Sequence, residues 1–600
     1  MSEVKTRKEL DDKFKWNLNH IIDGDENWEK LFDEIKSKIS LLGQFKGKLS
    51  DKAELKKLFA LEHEISLSAE KLFVYSKMKR DEDNRDDKYV SMCDKAYGLL
   101  IQLETETAFV TPELNKIDDG VLLSWAEEKQ FEDNSIFLKE IVRNKSHVLS
   151  EGEERLLALS GEMANSYDTI FTMLDDVDMK FKPIITDDGK EEELSHGRYG
   201  LFLRDKNRNL RRQAYESMYQ AHIDCINTLA SLYASSVKKD VFYARARKFD
   251  SVLEGELFSG NIPQSVYTGL LDAVHSALPT MYEYVALRKK LLGIDDLKMY
   301  DMYVPIVEAE EEKYSYEEGI ALAKKALAPL GEEYISLLDR AINENWIDVY
   351  ETKGKTSGAY SWGAYGVHPY MLLNYQEKLD DVFTLVHEAG HSMHTFFSDR
   401  ALPYEKAQYR IFVAEVASTV NEVLLLKYLL KNSPDKRTKA YLLNHLLEQF
   451  RTTVFRQTMF AEFEMKTHAE AEAGEGLTVK RLNELYGDLN RLYYGNGVET
   501  DAYIETEWSR IPHFYRCFYV YQYATGFSSA VAIADKILTE GKPAVDKYMQ
   551  FLSSGGSDFP VELLKIAGVD LTKPDALISA MKVFENTLEE FKEIIENDGI

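Results

Sequence analysis

Through most of the first 180 positions, apolar residues recur at three-and-four spacing. "WEKLFDEIKSKISLLGQF" (28–45) and "EEKQFEDNSIFLKEIVRN" (127–144) each set one apolar stripe against a charged face. That pattern predicts a succession of amphipathic helices over 24–180. The charged run "KRDEDNRDDK" (79–88) has no stripe and predicts a solvated loop or helix end. Near 178–200 the texture changes to alternation and then reaches Asp188-Gly189, which predicts a small β-hairpin. The main boundary is placed there, dividing the chain into an N-terminal helical domain, 1–195, and a larger domain, 196–600. Helical spacing resumes in "SLYASSVKKDVFYARARKF" (231–249). The segment 314–331 opens with Ser315 and Glu318, spaced as a capping box. The "EAEEEK" just before it predicts a solvated acidic loop. No fixed-period repeat is present.

Between 350 and 376 the helical pattern stops. "YETKGKTSGAYSWGAYG" is rich in Gly, Ser and Tyr, and "GVHPYMLLNY" then predicts a strand, Gly366 to Tyr375. Pro369 makes this an edge strand or places the proline at the strand's beginning. An edge strand has free backbone donors and acceptors that can pair with an extended peptide. Two long apolar helices follow. "KLDDVFTLVHEAGHSMHTFFSDR" (378–400) is capped by Asp380 or Asp381 and runs to about Ser398. "YRIFVAEVASTVNEVLLLKYLL" (409–430) is the second.

Composition agrees with a mainly helical, globular chain. Hydrophobic residues make up 44% and aromatic residues 12% of 600, with 35 Tyr but only 13 Pro and 32 Gly. The length exceeds one ordinary core. A net charge of −28 argues against a protein held to nucleic acid or to an anionic membrane by its overall charge. Cys93, Cys225 and Cys517 are far apart and odd in number, so no disulfide framework is suggested. No signal-like N-terminus and no eighteen-residue apolar run is found. A cytoplasmic protein is expected.

The chemistry concentrates in "HEAGH". His387 and His391 differ by about 40° around a helix and about 6 Å along it, so both imidazoles reach one metal ion. Glu388 lies about 100° from His387, beside the metal position without being a ligand. Two neutral imidazoles for Zn²⁺ and one carboxylate to take a proton are what this pattern supplies. Gly390 leaves one side of that turn open. His394 lies about 10 Å along the axis from His387 and cannot join the same coordination sphere. The metzincin extension would need Gly at 394 and His at 397, where the chain has His394 and Phe397. The third ligand is therefore expected from a second helix, with Asp399, Glu405, Glu415 and Glu422 as candidates. Glu415 and Glu422 are seven apart on one face of a very apolar helix, where an unpaired carboxylate is costly. Glu415 is read as the third zinc ligand, and Glu422 as a carboxylate that orients an imidazole N–H.

Downstream, "SRIPHFYRCFYVYQYATGFSSA" (509–530) gathers His513, Tyr515, Tyr519, Tyr521 and Tyr523. A phenol or imidazole aimed at a polarised carbonyl could stabilise an oxyanion; aromatic residues at helical spacing also serve as core.

"HEAGHSMH", then "FVAEVASTVNE" with Glu415 twenty-four residues after His391, resembles the thimet-oligopeptidase-like metallopeptidases. "SGAYSWGAYGVHPYMLLNY" before it and "IPHFYRCFYVYQYATG" after it are similar to the oligoendopeptidase F branch, and the likeness extends from about Trp16 to the C-terminal helices. The resemblance implies a mainly α peptidase with a deep substrate channel, a small β-sheet beside the HExxH helix, and the N-terminal domain covering the channel. It implies one Zn²⁺ per chain on His387, His391 and Glu415, with Glu388 catalytic. It further implies oxyanion stabilisation by Tyr521 and His513, and substrate contact at Gly366, Val367, His368, Tyr515 and Tyr519. The expected activity is hydrolysis of internal bonds in short, unstructured peptides, with no nucleic acid or membrane partner. No G-x-S-x-G elbow, P-loop or dinucleotide-binding glycine pattern competes with it. Two alternatives stay open: an exopeptidase such as a zinc carboxypeptidase on a similar helical fold, and a non-enzymatic helical peptide-binding scaffold. Oligomeric state and cleavage preference are not legible.

Overall fold

Long amphipathic runs with few Pro or Gly fold as helices over most of the chain, and only five short strands interrupt them among the described residues. The computed structural model describes residues 4–307 and 313–598; most of the acidic "EAEEEK" stretch lies outside them. The chain forms two compact units, each assembled from three segments. The first contains Met1–Ser146, Glu311–Leu429 and Ile533–Val569. The second contains His147–Glu310, Leu430–Ala532 and Asp570–Ile600. These compact units follow a different line from the functional division at 195/196.

The first unit shows why a contiguous cut does not describe its core. Trp16, Trp28, Ile35, Leu58, Leu72 and Leu138 of the N-terminal helices share one apolar cluster with Ala364, Tyr370 and Leu372. Tyr370 and Leu372 belong to a three-stranded sheet of β1 (Ile347–Asp348), β2 (Tyr360–Trp362) and β3 (Tyr370–Leu372), and Ala364 lies between β2 and β3. Buried charge reinforces the link. Asp348 ion-pairs with Lys355 at 2.7 Å, both side chains almost wholly buried, and with Arg7 at 2.5 Å.

The strand order is β1-β3-β2, so β3 is central. It runs parallel to β1 and antiparallel to β2, with Ser361 opposite Met371. The expectation of an edge strand over Gly366–Tyr375 is therefore corrected. Pro369 has no N–H, but it precedes the first ladder residue and removes no ladder bond. Both sides of β3 are then free to pair. The side of β2 away from β3 has no strand partner in this sheet.

Other local signals appear as expected. Ile184–Ile185 pairs antiparallel with Glu191–Glu192 in the second unit, with Gly189 at φ +77° in the turn. Ser315 and Glu318 form a reciprocal capping box on the helix Tyr316–Leu327. No helix among the described residues is long and apolar enough to cross a membrane.

Candidate active site

The site lies in the first unit, where α1 (Leu379–Ala401) packs against β2 and near α2 (Ile411–Asn432). Asp381 anchors the start of α1 from its first turn: its carboxylate accepts the backbone N–H groups of Gln376 and Lys378 at 3.0 and 2.8 Å. That placement also suits the positive end of the helix dipole. Ser392 of α1 hydrogen-bonds Ser361 of β2 at 2.7 Å, tying the sheet to the helix next to His391.

Gly390 sets the distance between α1 and α2. A Cβ there would meet Ala417 O and Ser418 Cα at 2.6 Å and Ser418 N at 2.8 Å. The glycine is thus required by close backbone approach, a stronger constraint than the open turn expected of it. Asn421, fully buried, fixes the same contact. Its amide donates to Val386 O at 2.8 Å, and its carbonyl accepts from Tyr334 O–H at 3.0 Å. Sequence reading passed over Asn421, although a lone amide in "VASTVNEVLLL" is the signal that could have found it.

This packing converges three donor atoms. His387 Nε2 and His391 Nε2 are 3.2 Å apart, and Glu415 Oε2 is 3.4 and 3.5 Å from them. His387 Nδ1–H donates to Glu422 Oε1, which leaves its Nε2 lone pair facing the other two donors. Two imidazole nitrogens and a carboxylate oxygen pointed at one spot can hold a cation between them. Tetrahedral zinc with bonds of about 2.0–2.1 Å spaces such ligands about 3.3–3.4 Å apart. The observed separations bracket that figure, so the donor set fits the ion.

Electrostatics separate the roles. Glu388 is buried, and its Oε2 has no hydrogen-bond partner. Burial raises its pKa above the usual carboxylate value, with His387 and His391 opposing. The hydrogen bond to His391, with both imidazoles adding, holds Glu415 down to about 2. Neither α2 glutamate is deeply buried: the Glu415 side chain keeps 44% of its exposure and Glu422 keeps 22%. The burial expected from their apolar neighbours is corrected. Their shared face looks toward the histidines, while Val416, Ala417, Val420 and Leu424 fill the core. His394 is buried outside the donor set, stacked on Tyr409 with ring centres 3.6 Å apart, and burial pulls its pKa to about 3.

The residues read as substrate contacts on the strand have structural partners. Gly366 has φ +79° in the turn before β3, and Val367 packs on the N-terminal core. His368 stacks on Trp346 at 4.2 Å and hydrogen-bonds His20 at 2.7 Å; burial lowers its pKa to about 4. The tyrosine segment lies in the second unit. There His513, Tyr519 and Tyr523 form one ring cluster, with centres 5.3–6.5 Å apart. Burial lowers the His513 pKa, with Arg516 next. Tyr521 instead is 3% exposed against Tyr267, and Tyr515 packs on Phe171.

Known proteins resemble the chain over nearly its whole length. The family model described as peptidase family M3 matches residues 201–583, and one described as oligopeptidase F matches 113–181. Oligopeptidase PepF of Bacillus subtilis is 43% identical over 99% of this chain and 90% of its own length. An oligoendopeptidase F homolog of Lactococcus lactis is 41% identical over 99% of both chains. The crystal structure of oligoendopeptidase-F from Enterococcus faecium superposes with a TM-score of 0.74 at 35% identity, covering 96% of this chain and 99% of that one.

Proposed function

Because the chain belongs to peptidase family M3, in its oligopeptidase F branch, we propose that His387, His391 and Glu415 hold one zinc ion. It is a metallo-endopeptidase acting on peptides. The single observation that carries the metal assignment is the triangle of donor atoms, with sides of 3.2, 3.4 and 3.5 Å, beside an unpartnered buried carboxylate.

When bound, the ion supplies Lewis acidity toward the scissile carbonyl and acidifies water. Glu388 takes the proton of the attacking water and delivers it to the leaving amine, a task suited to a carboxylate whose pKa burial has raised. Glu422 holds His387 in the Nδ1–H tautomer, keeping Nε2 available as a ligand. The outer side of β2, rather than β3, is the open edge for pairing an extended peptide, because residues flanking β1 already bond the N-terminal segment through Val349 N–H to Phe14 O and Asn17 N–H to Asn345 O. His513 remains the proposed donor to the oxyanion. Tyr523 or Tyr519, which share its ring cluster, replaces the core-packed Tyr521 as its partner. Short, unstructured peptides remain the proposed substrates. The division into a covering segment, 1–195, and a catalytic segment, 196–600, belongs to this functional reading. A reducing, cytoplasmic setting suits the three free cysteines.

The test is mass spectrometry of products from a length-graded set of unstructured peptides and one folded protein, including backbone N-methylated peptides. Wild type is compared with Glu388→Gln and with chelated enzyme. Internal cuts confined to short peptides are expected. They should be lost on chelation and slowed about 10²–10⁴-fold in the variant, which still binds zinc. Terminal trimming alone would move the reading to an exopeptidase, and equal rates for wild type and Glu388→Gln would sink it.

A further inference from the structure

We propose that Asp240, His468 and Cys517 form a second metal site, built for a zinc-like divalent cation, with the Glu464 carboxylate nearby but outside the donor group. All four residues belong to the second unit, and none takes part in the first site. Asp240 comes from the helix Ile226–Ala246. Glu464 and His468 lie one turn apart on the helix Arg456–Glu472, and Cys517 lies in the tyrosine segment.

The geometry is that of a ligand set. His468 Nδ1–H donates to Glu464 O at 2.8 Å, so its Nε2 carries the lone pair. That Nε2 is 3.4 Å from Asp240 Oδ2 and 3.6 Å from Cys517 Sγ, and the three donor atoms all lie within 4.8 Å of one another. Zinc bonds of about 2.0–2.1 Å to N and O and about 2.3 Å to S, at tetrahedral angles, require N···O of about 3.3–3.4 Å and N···S of about 3.6 Å. Both observed distances agree. The other Asp240 oxygen is taken by Lys239 at 3.1 Å, which leaves Oδ2 for the cluster.

A second observation points independently to a ligand. The Glu464 side chain is wholly buried. Its Oε1 accepts the Phe518 N–H at 3.0 Å, which holds the carboxylate against the residue next to Cys517. Its Oε2 has no hydrogen-bond partner. A fully buried carboxylate oxygen is costly to leave unpaired, and a cation held by the three donors nearby would offset its charge. Without a cation this part of the core favours protonated groups. Burial, with Asp240 next, lifts Glu256 to about 7, and burial lifts Glu464 and the Cys517 thiol well above their usual ranges. A bound divalent ion would reverse that balance by discharging the thiol and the carboxyl.

The arrangement does not suit a nucleophilic triad. In a triad the acid orients the base through the nitrogen that does not face the nucleophile. Here Asp240 and Cys517 face the same nitrogen, and a backbone carbonyl occupies the other. The site would instead clamp the Pro512–Tyr521 stretch to two long helices.

The test uses full-length protein stripped of metal and titrated with Co²⁺. The first site has no sulfur ligand, so a thiolate-to-cobalt charge-transfer band in the near ultraviolet reports this site alone. The expected result is that band in wild type, together with a second metal equivalent. Cys517→Ser should lose both, whereas His387→Ala should keep the band. If Cys517→Ser does not fold, His468→Asn should weaken Co²⁺ binding at the band at least tenfold. A folded wild type with no band, or a band that survives in Cys517→Ser, overturns the proposal.

Discussion

Glu422 and Glu388 carry the same charge close to one histidine, yet their neighbours give them different work. Glu422 accepts the His387 Nδ1–H, whereas Glu388 Oε2 is buried with no partner. Replacing Glu422 with Ala should therefore weaken zinc binding about 10–100-fold, as for other carboxylates that orient a ligating imidazole. A competitive titration with a chromophoric chelator measures this, and unchanged affinity would remove Glu422 from the site. The phenols divide in the same way. Tyr523 shares a ring cluster with His513, whereas Tyr521 is packed on Tyr267. Tyr523→Phe, or Tyr519→Phe if that phenol is the donor, should lower kcat about 10²–10³-fold, the usual cost of one oxyanion donor. Tyr521→Phe should change kcat much less. The reverse order in steady-state kinetics would restore Tyr521 to the mechanism.

At the scale of elements, the site depends on how closely α1 and α2 approach. Gly390 faces the backbone of Ala417 and Ser418, atoms that cannot yield as a flexible side chain can. Gly390→Ala should cost about 1–3 kcal/mol of stability or more through overpacking. It should also weaken metal binding, because Glu415 is two residues from the contact. A lower urea midpoint together with lower zinc affinity is the expected pair of results; wild-type values for both would show that the helices can part without consequence. The sheet makes a related point. A proline suggested an edge, but only the pairing of β1 and β2 with β3 reveals that this strand has no open side.

Across the whole molecule, stability rests partly on buried ion pairs away from the donor triangle. In the second unit, Glu507 accepts from Arg456 at 2.6 Å, Tyr219 at 3.0 Å and Arg510 at 3.1 Å. Burial works to raise its pKa, but Arg456 and Arg510 outweigh burial and hold it down to about 2, below the ordinary 4.5. A depressed carboxylate stabilises the fold fully above its unfolded value and loses that contribution as pH falls through the folded one. Stability of the second unit should thus decline between about pH 4.5 and 2. Urea midpoints measured against pH should show that slope, and Glu507→Gln, if it folds, should flatten it. An equal slope in the variant would assign the acid sensitivity to other groups.

The helical class, the hairpin at Asp188-Gly189 and the HExxH pair could all be read along the chain. Each rests on residues a few positions apart, where helix and turn geometry are set by local spacing. Glu415 could be picked out because it shares an apolar helix with a second carboxylate seven residues away. Other features required distant segments to meet. Residues between 16 and 141 share a core with residues between 360 and 372, which no boundary drawn along the chain reveals. The central place of β3, the partial exposure of Glu415, the role of Gly390 and the divergent surroundings of Tyr521 and Tyr523 follow from packing between segments. The physical reason is that local spacing orients a side chain around its own helix or strand. What lies opposite that side chain, whether core, solvent or another carboxylate, depends on which remote element packs there.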